Sequence, residues 1–165
     1  MANGALELLE GIPEGRWVVT EASQDYARNN ISHEFLSIKQ HEGLELLVRA
    51  VSMLQPGRPH TFSAAKYILG HKIAPHDDKM HHEVRMGSGS VVLHSRDIAV
   101  IWYLTKDWTE EDGGVLVDLQ TGARYVPVFN SAVAFRVPRM HEVRPAPSRC
   151  AYRCCRSGER LESVL

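Results

Sequence analysis

From residue 61 almost to the C-terminus the apolar residues of this chain alternate with polar ones, whereas residues 43–54 place theirs at helical spacing. That change of period constrains the fold more than any other feature. A period of two cannot bury one face of a helix, so the second half is expected to be antiparallel β structure carried on a helical first part. The segment Arg96 to Leu104 is the strongest strand, with Ile98, Val100, Trp102 and Leu104 on one face and Ala99, Ile101 and Tyr103 on the other. Both faces are apolar, which predicts a central position. Further strands are expected at Thr61 to Leu69, Lys72 to Asp78, Val115 to Leu119, Arg124 to Val128, Ala132 to Phe135 and Cys150 to Cys155. Turns are expected at Asp112-Gly113-Gly114 and Thr121-Gly122. At least six short strands separated by turn signals make a sandwich or barrel.

The first half reads differently. Residues 4–10 form a short helix ended by Gly11 and Pro13, and Arg16 to Thr20 a strand. Residues 21–30 are polar and uncommitted. Leu44, Leu47, Val48, Val51 and Leu54 make residues 43–54 an amphipathic helix that Gln55-Pro56-Gly57 stops. The stretch from Lys79 to Ser95 holds His81, His82, Gly87, Ser88, Gly89 and Ser90, and reads as a long mobile connection that could lid a site.

A chain of 165 residues is expected to be one domain with a core of its own. Nineteen basic and 20 acidic residues are interspersed, so the charge pattern calls for neither nucleic acid nor an anionic membrane. The N-terminus lacks a basic segment before an apolar run, and no stretch approaches the ~18 apolar residues of a spanning helix. The expectation is a soluble, cytoplasmic protein. Cys150, Cys154 and Cys155 are an odd number crowded at one end, which suits a reducing compartment and ordinary strand residues better than a disulfide framework or a metal cluster.

The chemistry centres on His76-Asp77-Asp78, which follows the kink of Ala74-Pro75. If the stretch is extended, His76 and Asp78 sit at i and i+2 and project from one face. An imidazole and a carboxylate are two of the three ligands in a facial iron site, which a second histidine completes while leaving three positions open. His141, in Met140-His141-Glu142-Val143, is the candidate. Asp77 then points away, as a solvated carboxylate or as a partner behind the ligands.

The segment Trp102-Tyr103-Leu104-Thr105-Lys106-Asp107-Trp108, followed by Gly113-Gly114, resembles the Fe(II)/2-oxoglutarate-dependent dioxygenases, in particular their prolyl-hydroxylase-like branch. The ending His141-Glu142-Val143-Arg144-Pro145-Ala146, with Arg149 beyond it, is similar to the distal motif of that branch. The resemblance covers about residues 61–153. It implies a mainly β fold, a double-stranded β-helix or jelly roll over 61–155, with supporting N-terminal helices and the first strand within 1–60. It also implies His76, Asp78 and His141 as iron ligands, with 2-oxoglutarate as cosubstrate and O2 as oxidant. Arg149 falls where a basic residue grips the far carboxylate of 2-oxoglutarate, a task suited to the planar guanidinium fork, with Arg153 as its competitor. Tyr103 matches a tyrosine whose hydroxyl helps bind the same carboxylate and Tyr67 one that lines the cosubstrate pocket, although a core aromatic is nearly as good a reading of each. Related halogenases carry a small residue in place of the carboxylate ligand, so Asp78 points to hydroxylation.

The implied reaction couples oxidative decarboxylation of 2-oxoglutarate to succinate and CO2 with hydroxylation of an unactivated C–H. The short chain, without a recognition domain, favours a small-molecule substrate such as an amino acid. A peptidyl-prolyl-type protein hydroxylase and a non-catalytic metal- or ligand-binding jelly roll are the alternatives.

Overall fold

The structure, a computed structural model, describes residues 1–19, 31–32, 34–37, 49, 53, 59–146 and 151–161. Helix α1 (Ala2–Glu10) is followed by a 3-10 turn at Glu14–Arg16 and then, among the described residues, by strands β1 (Val18–Val19), β2 (Ile31–Ser32), β3 (Glu34–Ser37), β4 (Pro59–Tyr67), β5 (Lys72–His76) and β6 (His81–Arg85). After these come β7 (Val91–Tyr103), a 3-10 turn at Glu110–Asp112, β8 (Leu116–Asp118), β9 (Arg124–Tyr125), β10 (Ala132–Arg136), β11 (His141–Val143) and β12 (Ala151–Leu161). All strand pairs are antiparallel. One sheet runs β1-β3-β4-β12-β7-β10, with β6 also on β7, and the other β2-β5-β11-β8-β9. This is the expected jelly roll.

Alternation along β4 and β7 decides which side of the large sheet each residue serves. Ala65, Tyr67, Ile101 and Tyr103 face the smaller sheet and pack with Leu116, Val143 and Trp108, forming the core between the two layers. Phe62, Ala64, Trp102 and Leu104 face the other way, where Ala2, Ala5 and Leu9 of α1 cover them. Hence β7 is buried on both faces, as its sequence predicted, and β12 and β10 flank it. The helix exists because its four buried residues, Ala2, Ala5, Leu6 and Leu9, share one face.

Several boundaries differ from expectation. Arg16 belongs to the 3-10 turn, so the strand expected from Arg16 shrinks to Val18–Val19. The first long strand stops at Tyr67, because Leu69-Gly70 turn the chain and Gly70 adopts φ +83. The helix expected over residues 43–54 lies, but for Arg49 and Met53, outside the described residues. The last strand is longer than Cys150 to Cys155, reaching Leu161, and lies between β4 and β7. No helix among the described residues is long and apolar enough to cross a membrane.

The mobile connection expected from Lys79 to Ser95 is instead a hairpin of β6 with the start of β7, in register His81↔Ser95 through Arg85↔Val91. Its tip has a hydrogen-bonding pattern that explains the glycines. The Gly89 N–H donates to Met86 C=O at 2.9 Å, the Met86 N–H donates to Ser90 C=O at 2.8 Å, and Gly89 stands at φ +85. A three-residue loop closing on a left-handed residue is a recognised hairpin solution, and Gly is the residue that adopts it without steric cost. Gly and Ser here close a turn.

Candidate metal centre

Strands β5 and β11 are neighbours in the smaller sheet, and His76 and His141 are direct cross-strand partners. The pairing is irregular. Val143 faces Ile73, so three steps along β5 match two along β11. Cross-strand partners share a face, and the extra residue at Ala74-Pro75 therefore brings His76 to the same side as Ile73. A proline fits there because a bulge needs no ladder donor from it.

The structure corrects the expected route by which Asp78 joins His76. Strand β5 ends at His76, and Asp78 takes the left-handed backbone conformation with φ +59, so a turn and not the strand pleat brings the two together. Asp is among the few residues that accept this conformation. Asp77 supplies the turn: its carboxylate Oδ1 accepts the Lys79 N–H at 2.9 Å, and it stands outside the cluster. His76, Asp78 and His141 present ligand atoms within 4.8 Å of one another. Asp78 lies between the two imidazoles, its oxygens 3.4 Å from His76 Nε2 and 3.7 Å from His141 Nε2.

Both rings are oriented from behind. His76 Nδ1 lies 2.8 Å from the Ala74 carbonyl oxygen and His141 Nδ1 2.6 Å from that of Arg139. A carbonyl only accepts, so each Nδ1 carries the proton and each Nε2 turns a lone pair to the cluster when the ring is neutral. The rings stand 4.1 Å apart centre to centre, and Phe135 packs 4.6 Å from the outer side of His141. Burial opposes charge on Asp78, but hydrogen bonding and proximity to His76, with help from His141 and Arg96, hold its carboxyl below the ordinary value. Burial holds His141 below an ordinary histidine, whereas for His76 the Asp78 carboxylate outweighs burial and raises the pKa. Two oriented imidazoles and an ionised carboxylate suit a divalent iron.

Tyr103 and Tyr67 are fully buried in the core between the sheets, next to Leu116 and Val143. Arg149 lies outside the described residues. The backbone of Arg153 pairs with both Ala65 and Tyr103. The Gly113-Gly114 turn docks onto the distal motif: both glycines have positive φ, the Gly114 N–H donates to Pro145 C=O at 3.1 Å, and Trp108 Nε1 donates to Gly113 C=O. A cavity of about 320 Å³ opens beside His141, lined by Leu116, Val133 and Phe135 with Asp118, Tyr125 and Arg139.

Two features near the cluster escaped the sequence. Arg96, at the base of the hairpin, puts Nη1 3.9 Å from Asp78 Oδ1. Asp118, at the end of β8, is ion-paired with Arg139 and is the cross-strand partner of His141 on its other side. The Asp118-Leu119-Gln120-Thr121-Gly122 run signalled only a turn, and nothing local links residue 118 to residue 139.

A jelly roll with two histidines and a carboxylate converging where two strands meet is the architecture of a non-haem iron enzyme. Residues 62–156 match the model of the 2OG-Fe(II) oxygenase superfamily, and the chain belongs to that family. It is an oxygenase, and the family works with Fe(II), 2-oxoglutarate and O2. Solved structures with a similar fold include a Pseudomonas putida prolyl-4-hydroxylase, 23% identical over 96% of this chain and 85% of that one, with TM-score 0.69. A Trichoplax adhaerens prolyl hydroxylase, solved with a hypoxia inducible factor peptide fragment, is 18% identical over 94% and 75%, with TM-score 0.68. The collagen prolyl hydroxylase of Paramecium Bursaria Chlorella virus-1, solved with 2-oxoglutarate, is 12% identical over 100% and 92%, with TM-score 0.61. No curated protein matches the sequence.

Proposed function

We propose that this chain is an Fe(II)- and 2-oxoglutarate-dependent hydroxylase of a small molecule such as an amino acid, in which His76, Asp78 and His141 hold the iron. The observation that carries the ligand assignment is the convergence of one ligand atom each from His76, Asp78 and His141 within 4.8 Å, with the Asp78 oxygens 3.4 and 3.7 Å from the two Nε2 atoms. When bound, the iron with 2-oxoglutarate and O2 supplies the oxidising power for attack on an unactivated C–H, and succinate and CO2 leave. The chain's residues hold and shield. The carbonyls of Ala74 and Arg139 keep both Nδ1 protons off the metal face, so each ring offers one defined nitrogen. Arg149 grips the far carboxylate of the cosubstrate with the help of the Tyr103 hydroxyl, and Tyr67 lines its pocket. The chain as a whole is one domain, with residues 61–155 as its jelly-roll core.

A peptidyl-prolyl substrate is the second reading, and similarity to prolyl hydroxylases favours it. Incubation with Fe(II) and 2-oxoglutarate, once with a metabolite extract and once with proline-rich peptides, separates the two by mass spectrometry. A free metabolite heavier by one oxygen supports the small-molecule reading; a hydroxylated peptide with an unchanged extract overturns it.

A further inference from the structure

Arg139 touches both halves of the ligand cluster without belonging to it. Its N–H donates to the carbonyl of Asp77 at 3.2 Å, inside the turn that presents Asp78. Its own carbonyl accepts the proton of His141 Nδ1 at 2.6 Å. Its guanidinium closes on Asp118, with Nε 2.9 Å from Oδ2 and Nη2 on the same oxygen. Asp118 is in turn fixed by donors from the turn after β8: the Thr121 hydroxyl on Oδ2 at 2.7 Å and the Gln120 N–H on Oδ1 at 2.9 Å. The Asp118 side chain is almost wholly buried, whereas that of Arg139 is about a third exposed. Asp118 also faces His141 across the strand pair, so the ion pair is anchored at the level of the ligand.

We infer that the Asp118–Arg139 ion pair is a positioning device for the metal site, fixing the Arg139 peptide so that its two ends set the orientation of His141 and of the His76–Asp78 turn together. The physical reason is leverage. Arg139 stands just before the short strand β11, and its side chain adds a restraint to the two hydrogen bonds that its backbone makes. A hydrogen-bond acceptor behind a metal-bound imidazole fixes the ring and raises its basicity, and loss of such a partner typically weakens metal binding about ten- to a hundredfold. The inference rests on His76, Asp78 and His141 being the ligands.

The test is titration of the metal-free full chain with Mn(II), followed by the loss of the free ion's paramagnetic signal. Asp118→Asn and Arg139→Met should bind Mn(II) about ten- to a hundredfold more weakly while remaining folded. Thr121→Val, a milder change behind Asp118, should show a smaller loss in the same direction, and it keeps the test open if either stronger variant fails to fold. Arg144→Met, which removes the nearby ion pair to Glu142, should bind like the wild type. Affinity within about twofold of wild type in folded Asp118→Asn or Arg139→Met overturns the inference, as does an equal loss in Arg144→Met. Wild-type binding retained by His141→Ala would overturn the ligand assignment itself, a distinguishable result.

Discussion

Which ring nitrogen each of His76 and His141 leaves open is decided by the backbone carbonyl two residues before it. The His-x-Asp spacing made His76 and Asp78 legible in the sequence, but the reason given for it, a shared strand face, does not hold. Asp78 arrives through a left-handed turn, a conformation that one residue type cannot announce. Asp77, whose carboxylate serves that turn, should tolerate Asp77→Ala with Fe(II) affinity close to wild type, measured by anaerobic titration; a loss like that of Asp78→Ala would place Asp77 among the ligands. At the cosubstrate end, Arg149→Lys keeps the charge but loses the fork. The 2-oxoglutarate concentration for half-maximal succinate formation should rise about ten- to a hundredfold, the range of a charged hydrogen bond. Arg153→Lys should change it far less, and the reverse order would mean that Arg153 is the clamp.

At the scale of elements, periodicity read the strands well, because alternation reports burial directly and β7 carries it on both faces. It failed where turn chemistry decides. Gly87, Ser88 and Gly89 looked like a mobile tract, yet they close a hairpin whose strands are paired from Arg85↔Val91 down to His81↔Ser95. Amide exchange should therefore be slow along 91–95 and fast only at the tip, 86–90. Uniformly fast exchange over 79–95 would restore the lid. The turn itself can be tested: a Cβ at Gly89 meets nothing within 4 Å, so Gly89→Ala costs only backbone strain at φ +85. That is about 1 kcal/mol, seen as a melting temperature lower by about 2–4 °C.

At the scale of the whole molecule, Lys66 is a polar tie between the N-terminal segment and the large sheet. It is buried on the face of β4 that α1 covers, where its ammonium meets Glu34 at 2.9 Å, Glu14, and the ring of Trp17. Burial would lower its pKa, but Glu14 and Glu34 outweigh burial and raise it. A raised cation pKa stabilises the fold fully below the unfolded value of about 10.4, and the benefit is lost as pH rises through the folded value. Lys66→Met should thus cost about 2 kcal/mol, part of what a buried pair commands because Glu14 is exposed, evenly over neutral pH and less above about pH 10.4. A cost that fades between pH 6 and 9 would contradict this. No local pattern marked Lys66, since its partners lie 32 and 52 residues away. The same long-range closure makes the proposed metal site, from His76 on one strand and His141 on another. Anaerobic Fe(II) titration of the wild type, His76→Ala, Asp78→Ala and His141→Ala tests that closure most directly. The expected result is one tight site per chain in the wild type, weakened at least about a hundredfold in every variant; wild-type affinity in any one of the three would contradict it.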